Sequence, residues 1–281
     1  MSASKVPGQT MAEEAAGLRL MPVLAASGDV QMAVDEALLD DALFVTARRY
    51  VWTPPALSLG KFQRLPDDRL REDLPFDVVR RPSGGRAVLH GESFEWSFAV
   101  VFPPGTLPGH RVDDAYEVVS AALAEALSAA GVRLDETREA PYKSSRLCFA
   151  SGLRHDLFAA AGKVAAVAQV RRGGAALVHG SVLERRPPDD LVAAVEQLLG
   201  EPWQGDGLAA ADRGLTAAAA GAAADRRAHA GPDAEAVWAG FVRGLATALG
   251  MPAPLAGASP LADPAACAAS APDADSVAAR R

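Results

Sequence analysis

The stretch Asp77-Val-Val-Arg-Arg-Pro-Ser-Gly-Gly-Arg-Ala-Val-Leu-His-Gly-Glu-Ser-Phe-Glu-Trp-Ser-Phe-Ala-Val-Val-Phe102 decides how this chain is built. Residues 77–81 read as a strand, Pro82 to Arg86 as a loop and Ala87 to His90 as a second strand. Residues 94–102 alternate cleanly as a third, closed by Pro103-Pro104. Outward from this block, Asp29 to Phe44 reads as a helix capped by Asp29, with Met32, Leu39 and Leu43 on one face. Residues 49–52 and 56–60 read as short extended pieces. Asp113 to Ala130 carries the strongest helical period: Tyr116, Val119, Leu123, Ala126 and Ala130 share a face, and Gly131 stands at the stop. Strands at 156–160, 163–170 and 175–183 follow, turned by Gly162 and by Arg171-Arg-Gly-Gly. Helices at 190–199, ended by Gly200, and at 234–249 complete the pattern. Strands and helices mix without strict βαβ alternation. The expectation is therefore an α+β fold of mixed, mostly antiparallel sheets with packed helices.

The chain has 281 residues, enough for one large domain with a full core. Its 28 Lys and Arg against 35 Asp and Glu leave a net charge of −7, which argues against a general nucleic-acid binder. Two cysteines, Cys148 and Cys267, cannot form a disulfide scaffold and fit a reducing compartment. No apolar run approaches the roughly 18 residues of a membrane span. Residues 1–18 lack both a basic and an apolar signal region, so they read as a disordered leader to a cytoplasmic protein. Residues 19–250 read as a single domain, and 251–281 as a disordered Ala- and Pro-rich tail that cannot offset its ordering entropy. The stretch 205–232 also lacks periodicity.

Three places combine residues with chemical potential. In Arg80-Arg-Pro-Ser-Gly-Gly-Arg86, two glycines permit close backbone approach to a ligand, and three arginines suit a carboxylate or phosphate. A tight hairpin with solvated arginines would read the same way. Cys148, in Ser144-Ser-Arg-Leu-Cys-Phe149, is either a small buried hydrophobe or a nucleophile, with Lys143 and Arg146 nearby to favour a thiolate. Lys163 opens an otherwise apolar strand, either at a solvated turn or aimed into a pocket. Strict alternation puts Lys163, Ala165, Val167 and Gln169 on one face. His90 and His179 each end a short apolar strand without metal-ligand spacing, and no HExxH, CxxC, Walker A, Rossmann or GxSxG motif is present.

In chain order, Met32-Ala-Val-Asp-Glu-Ala-Leu-Leu39, Leu57-Ser-Leu-Gly-Lys-Phe-Gln63, RRPSGGRAVLH at 80–90, SSRLCF at 144–149, GKVAAVAQ at 162–169 and HGSVL at 179–183 resemble one family. It is the lipoate-protein ligase and octanoyltransferase superfamily, whose catalytic domain is related to biotin protein ligase. The resemblance covers about residues 19–250 and is greatest to the cysteine-type octanoyltransferases, which carry Cys-Phe where the similar ATP-dependent ligases lack a cysteine. Gly91 departs from the acidic residue usual there, and Ala166-Val167-Ala168 from the usual Gly-Ser-Ala.

The resemblance implies an acyltransferase of lipoate metabolism. Octanoyl, or lipoyl, would pass from acyl carrier protein to Cys148 as a thioester. It would then pass to a lysine of a lipoyl carrier protein such as the glycine cleavage H protein. Cys148 and Lys163 would be catalytic. Arg80, Arg81, Ser83, Gly84, Gly85, Arg86, His90, Gln169, His179 and Gly180 would contact substrate. No metal, membrane or nucleic acid is implied, and no cofactor. ATP would enter only if the chain were a lipoate ligase. A carrier-to-carrier amidotransferase and a non-catalytic acyl-binding relative are the other readings.

Overall fold

The computed structural model describes residues 17–66, 73–107, 109, 111–135, 145–160, 162–208 and 232–252. Most of the expected leader, the 205–232 stretch and the tail, including Cys267, therefore lie outside the described residues. Leu18, assigned by sequence to the leader, is buried in the core.

The elements are β1 (Arg19–Leu20), β2 (Leu24–Ala26), α1 (Gly28–Asp40), β3 (Thr46–Trp52), β4 (Ala56–Leu59), β5 (Asp77–Arg80), β6 (Val88–His90), β7 (Glu95–Phe102), α2 (Val112–Ala129), β8 (Leu157–Ala159), β9 (Gly162–Arg172), β10 (Ala175–Leu183), α3 (Asp189–Leu199) and α4 (Ala234–Ala248). A large sheet runs β1-β3-β7-β10-β9-β8, with β2 also on β3, and a three-stranded sheet runs β5-β4-β6. The pairings β3/β7, β7/β10, β10/β9, β9/β8 and β4/β6 are antiparallel, while β1 and β2 on β3, and β5 on β4, are parallel. The fold is α+β with mixed, mostly antiparallel sheets, as the element order leads one to expect.

Helices α2 and α4 cover one face of the large sheet. Leu123, Ala126, Phe241 and Leu245 interlock there with Phe98, Val100, Val178 and Val164. Helix α1 lies on the opposite face, where Met32 and Leu39 meet Tyr50, Trp52, Val101 and Leu177. The small sheet and α3 form a third cluster around Leu57, Leu89, Leu147, Phe149, Leu191 and Val195. Because both faces of β7 are covered, all eight of its residues are buried. The clean alternation of its sequence does not mean one wet face.

Other local departures have simple causes. The cap of α1 is Ser27, which leaves Asp29 in the first turn, where its charge favours the helix N-terminus. The helix ends at Asp40, so Leu43 falls beyond it and is 76% exposed. His179 lies in the middle of β10 and does not end it. Among the described residues no helix is long and apolar enough to cross a membrane.

One irregularity positions the site. Leu157 of β8 pairs with Ala165 of β9, but its neighbour Phe158 pairs with Lys163, so β9 holds one extra residue. Val164 and Ala165 consequently both pack into the cluster beneath α2 and α4. This β-bulge transfers Lys163 to the other face, with Ala166 and Ala168. The strict alternation that grouped Lys163 with Ala165, Val167 and Gln169 does not survive it.

Candidate active site

A cleft with a cavity volume of about 60 Å³, partly open to solvent, lies between the large sheet and the small one. Met32, Trp52, Val88, Ala166 and Ala168 supply apolar wall, and Cys148, Leu153, Asp156 and Lys163 stand along one side.

Cys148 is held by its backbone: its N–H donates to Ala87 O at 2.9 Å, and its carbonyl accepts from Ser151. The preceding turn is fixed by Glu201, whose carboxylate accepts from the N–H groups of Arg146 and Leu147. Cys148 is half-buried, and Lys163 Nζ lies 3.7 Å from its Sγ. The same Nζ donates to Asp156 Oδ2 at 2.7 Å, and that oxygen also accepts from Leu153 N–H at 2.8 Å. Lys163 and Asp156 have side chains only 1% and 3% exposed. Burial opposes the charge on Lys163, but Cys148 and Asp156 beside it outweigh that and hold its pKa above the ordinary value. Burial pushes the Asp156 carboxyl up, against the pull of Lys163 and of the Leu153 and Val167 amides.

A second polar chain crosses the buried sheet face. Arg48 pairs with Asp35 at 2.8 Å, and Asp35 Oδ2 faces His179 Nδ1 at 2.9 Å. A carboxylate only accepts, so Nδ1 carries a proton, and in the neutral ring Nε2 accepts from Ser83 Oγ at 2.5 Å. Burial raises the Asp35 pKa, but Arg48 and His179 prevail and hold it below the usual carboxylate value. The chain ties the Gly84-Gly85 loop to α1 and β10.

A third group surrounds His90, which stacks on Trp52 at 4.1 Å between ring centroids. Its Nε2 meets Ser58 Oγ at 2.8 Å and its Nδ1 faces Glu95 at 3.4 Å. Ser97 and Ser181 both donate to Glu95 Oε2, and Trp52 Nε1 donates to Ser97. The hydroxyls along this wall thus turn inward to a buried carboxylate. Burial holds the His90 pKa below its ordinary value, although Glu95 pulls it up. The acid beside His90 comes from β7 and not from the position that follows it. A side chain on Gly91 would meet the Phe94 ring at 2.6 Å.

Of the residues singled out by sequence, Cys148, Lys163, Arg81, Gly85, Arg86, His90, His179 and Gly180 line the cleft. Ser83 is buried behind it on His179, and Gly84 turns its carbonyl to Arg81. Arg81 also donates to Ser58 O and Arg86 O, so it braces the loop. Arg80 is exposed outside the cleft and donates to the carbonyls of Gly60, Lys61 and Gln63. Of the three arginines, Arg80 thus stands away from the cleft, while Arg81 and Arg86 line it, Arg81 with donors also given to backbone carbonyls. The placement of Gln169 is corrected. It sits on the helical side, where its amide, turned so that both of its ends are satisfied, would donate to Val112 O at 3.0 Å and accept from Arg171 Nε at 2.7 Å.

Sequence reasoning missed Asp156, Asp35, Glu95, Ser58, Ser97 and Ser181. Asp156 left one trace, a charge at the opening of an apolar strand. Among the described residues, no group of three or more His, Cys, Asp or Glu side chains is arranged to hold a metal ion.

The family model of the lipoyl protein ligase A/B catalytic domain matches residues 27–199, more than half of the chain. The chain is 36% identical over 178 residues to octanoyltransferase LipM of Carboxydothermus hydrogenoformans, covering 59% of this chain and 64% of that protein. It is 35% identical to octanoyltransferase LipM of Kyrpidia tusciae, covering 63% and 69%. To octanoyltransferase LipM of Staphylococcus aureus it is 34% identical, covering 57% and 63%. The matched region thus spans about two thirds, or slightly less, of these relatives' length. Among solved structures, lipoate-protein ligase A bound with ATP superposes with TM-score 0.62 at 17% identity, covering 90% of this chain and 93% of that one. A bi-partite lipoate protein ligase from Thermoplasma acidophilum superposes with TM-score 0.60 at 18% identity, covering 90% of each. These likenesses establish the fold.

Proposed function

Because the chain belongs to the lipoyl protein ligase A/B catalytic-domain family, we propose that it is a cysteine-dependent acyltransferase of lipoate metabolism. In this reading octanoyl arrives on acyl carrier protein. The Cys148 thiolate attacks the thioester carbonyl, a new C–S bond forms, and the carrier thiolate leaves and takes a proton. A lysine amine of a lipoyl carrier domain, such as that of the glycine cleavage H protein, then attacks the acyl-Cys148 carbonyl. The C–N bond forms, the C–S bond breaks, and the Cys148 sulfur leaves as the thiolate while the amine gives up its proton.

One observation carries the reading: the thiol of Cys148 meets the ammonium of a buried lysine at 3.7 Å, at the side of a cleft. In this reading a cation at that distance stabilises the oxyanion that forms in both half-reactions. Splitting the transfer through a thiol replaces one hard step by two easier ones. Met32, Val88, Ala166 and Ala168 offer apolar surface to the alkyl chain, at about 0.8 kcal/mol for each methylene buried. The route uses neither nucleotide nor metal.

The test is an intact mass after incubation with octanoyl-acyl carrier protein in the absence of ATP. A hydroxylamine-labile octanoyl adduct that is missing in Cys148→Ala supports the transferase. Acyl transfer from free octanoate that strictly requires ATP would replace it with the ligase reading, and binding without either reaction with the non-catalytic one.

A further inference from the structure

We propose that Asp156 is a positioning residue that keeps Lys163 charged and aimed at Cys148 throughout the reaction cycle. The proposal rests on the reading of Cys148 as the nucleophile, and it concerns a residue whose carboxylate is hydrogen-bonded to Lys163 and to the Leu153 amide.

Lys163 reaches its place through the bulge in β9 and is almost completely removed from water. An ammonium buried there without a counter-ion would shed its proton or swing away. Among the described residues two groups can neutralise it: Cys148 at 3.7 Å and Asp156 at 2.7 Å. Cys148 does so only as a thiolate, and that charge vanishes when the sulfur becomes a thioester. From then until the amine has attacked, Asp156 is the remaining counter-charge at hydrogen-bond distance among the described residues. Its carboxylate is itself pinned by Leu153 N–H. It takes one of the three N–H bonds of Lys163, which leaves two for the sulfur and for an acyl oxygen. The other charged or titratable side chains on the cleft wall are Arg81, Arg86, His90 and His179, besides the phenol of Tyr50. Arg81 donates to backbone carbonyls, His179 faces Asp35, and His90 faces Glu95.

The experiment reads the pH midpoint of Cys148 alkylation by iodoacetamide, which needs no acyl substrate and so stands or falls apart from the octanoyl reading. The two roles open to Asp156 have opposite signs. If Asp156 acted only as a through-space negative charge, removing it would ease thiolate formation, and Asp156→Asn would move the midpoint down. If it holds Lys163 charged and in place, Asp156→Asn moves the midpoint up. We expect a rise of about one pH unit, read as a roughly tenfold slower alkylation at a pH well below the parent's midpoint. In a Lys163→Met background the same substitution should move the midpoint down, since only the through-space effect is left. An unchanged or lowered midpoint in folded Asp156→Asn overturns the proposal, as does a rise of equal size in the Lys163→Met background. If Asp156→Asn does not fold, Asp156→Glu decides. Its carboxylate is displaced by one methylene, so the midpoint should rise by less, and an unchanged midpoint overturns the proposal.

Discussion

The ammonium nitrogen of Lys163 stands 3.7 Å from the sulfur of Cys148, on a face of β9 that strict alternation would deny it. The site is narrow: the lysine side chain is 1% exposed and wedged between Asp156 and the thiol. A planar guanidinium cannot occupy that point-charge position. On the proposed reading, Lys163→Arg should therefore lower octanoyl transfer by about 100-fold or more, the scale for loss of a preorganised oxyanion donor, while circular dichroism stays unchanged. Transfer within a few-fold of the parent would mean that the lysine is a structural cation only.

Gly60 and Gly85 approach so closely that a Cβ on Gly60 would sit 2.1 Å from the Gly85 carbonyl oxygen. Gly85 itself has φ +100°, which a side chain would strain. Gly60→Ala must push back the loop that carries Gly85 and Arg86 to the cleft. Overpacking of this kind costs about 1–3 kcal/mol. The urea midpoint should fall accordingly, together with the octanoyl transfer rate.

Arg48 is buried against Asp35, and its guanidinium also donates to the carbonyl and side chain of Gln31. Arg48→Met would leave the Asp35 carboxylate without its main counter-charge in the interior. Breaking a buried pair from one side costs about 3–5 kcal/mol, so this variant should be the least stable of the set in urea unfolding. Because Asp35 orients His179, which holds Ser83, the loss should extend to the Gly84-Gly85 loop and appear as faster proteolysis there.

His90 carries a pH prediction. Burial lowers its pKa in the folded state, and Glu95 only partly opposes this. A depressed histidine pKa means that the unfolded chain binds the proton more readily. The stability tied to neutral His90 is thus fully present above the ordinary value of about 6.5 and is lost as pH falls through the window beneath it. His90→Gln keeps a polar side chain and removes the titration. Its urea midpoint should lie below that of the parent at pH 7.5, and the gap should narrow by pH 5. A gap that stays constant would show that His90 does not titrate in this window.

Much of the architecture was legible because helices and strands announce themselves locally. The period of residues 113–130 placed α2 to within a residue. The Gly-Gly turn after Arg172 placed the β9–β10 hairpin, and Gly200 ended α3. The sequence offered Cys148 and Lys163 as candidates, but the residues alone left a buried thiol and a turn lysine open, and only the family resemblance assigned both to catalysis. Where both faces of an element are covered, as on β7, alternation marked the strand but not the burial of both its faces, because it records residue type and not the neighbours that arrive later.

From the residues alone came the element order, the α+β class and the pairing of motifs that identified the candidate site. Only the tertiary structure decided which way those residues look. The bulge opposite Leu157 and Phe158 turned Lys163 toward Cys148, because register is set by a partner strand and not by the strand itself. The counter-charge of Lys163 proved to be Asp156, the acid beside His90 proved to be Glu95, and Arg80 was drawn away to the carbonyls of residues 60–63. Each of these pairings satisfies a charge or polar group in a place of little water, and which partner lies within about 3 Å is a property of the packed chain. Local spacing carries periodicity over a few residues. It carries no information about a carboxylate that another strand delivers from the far side of a sheet.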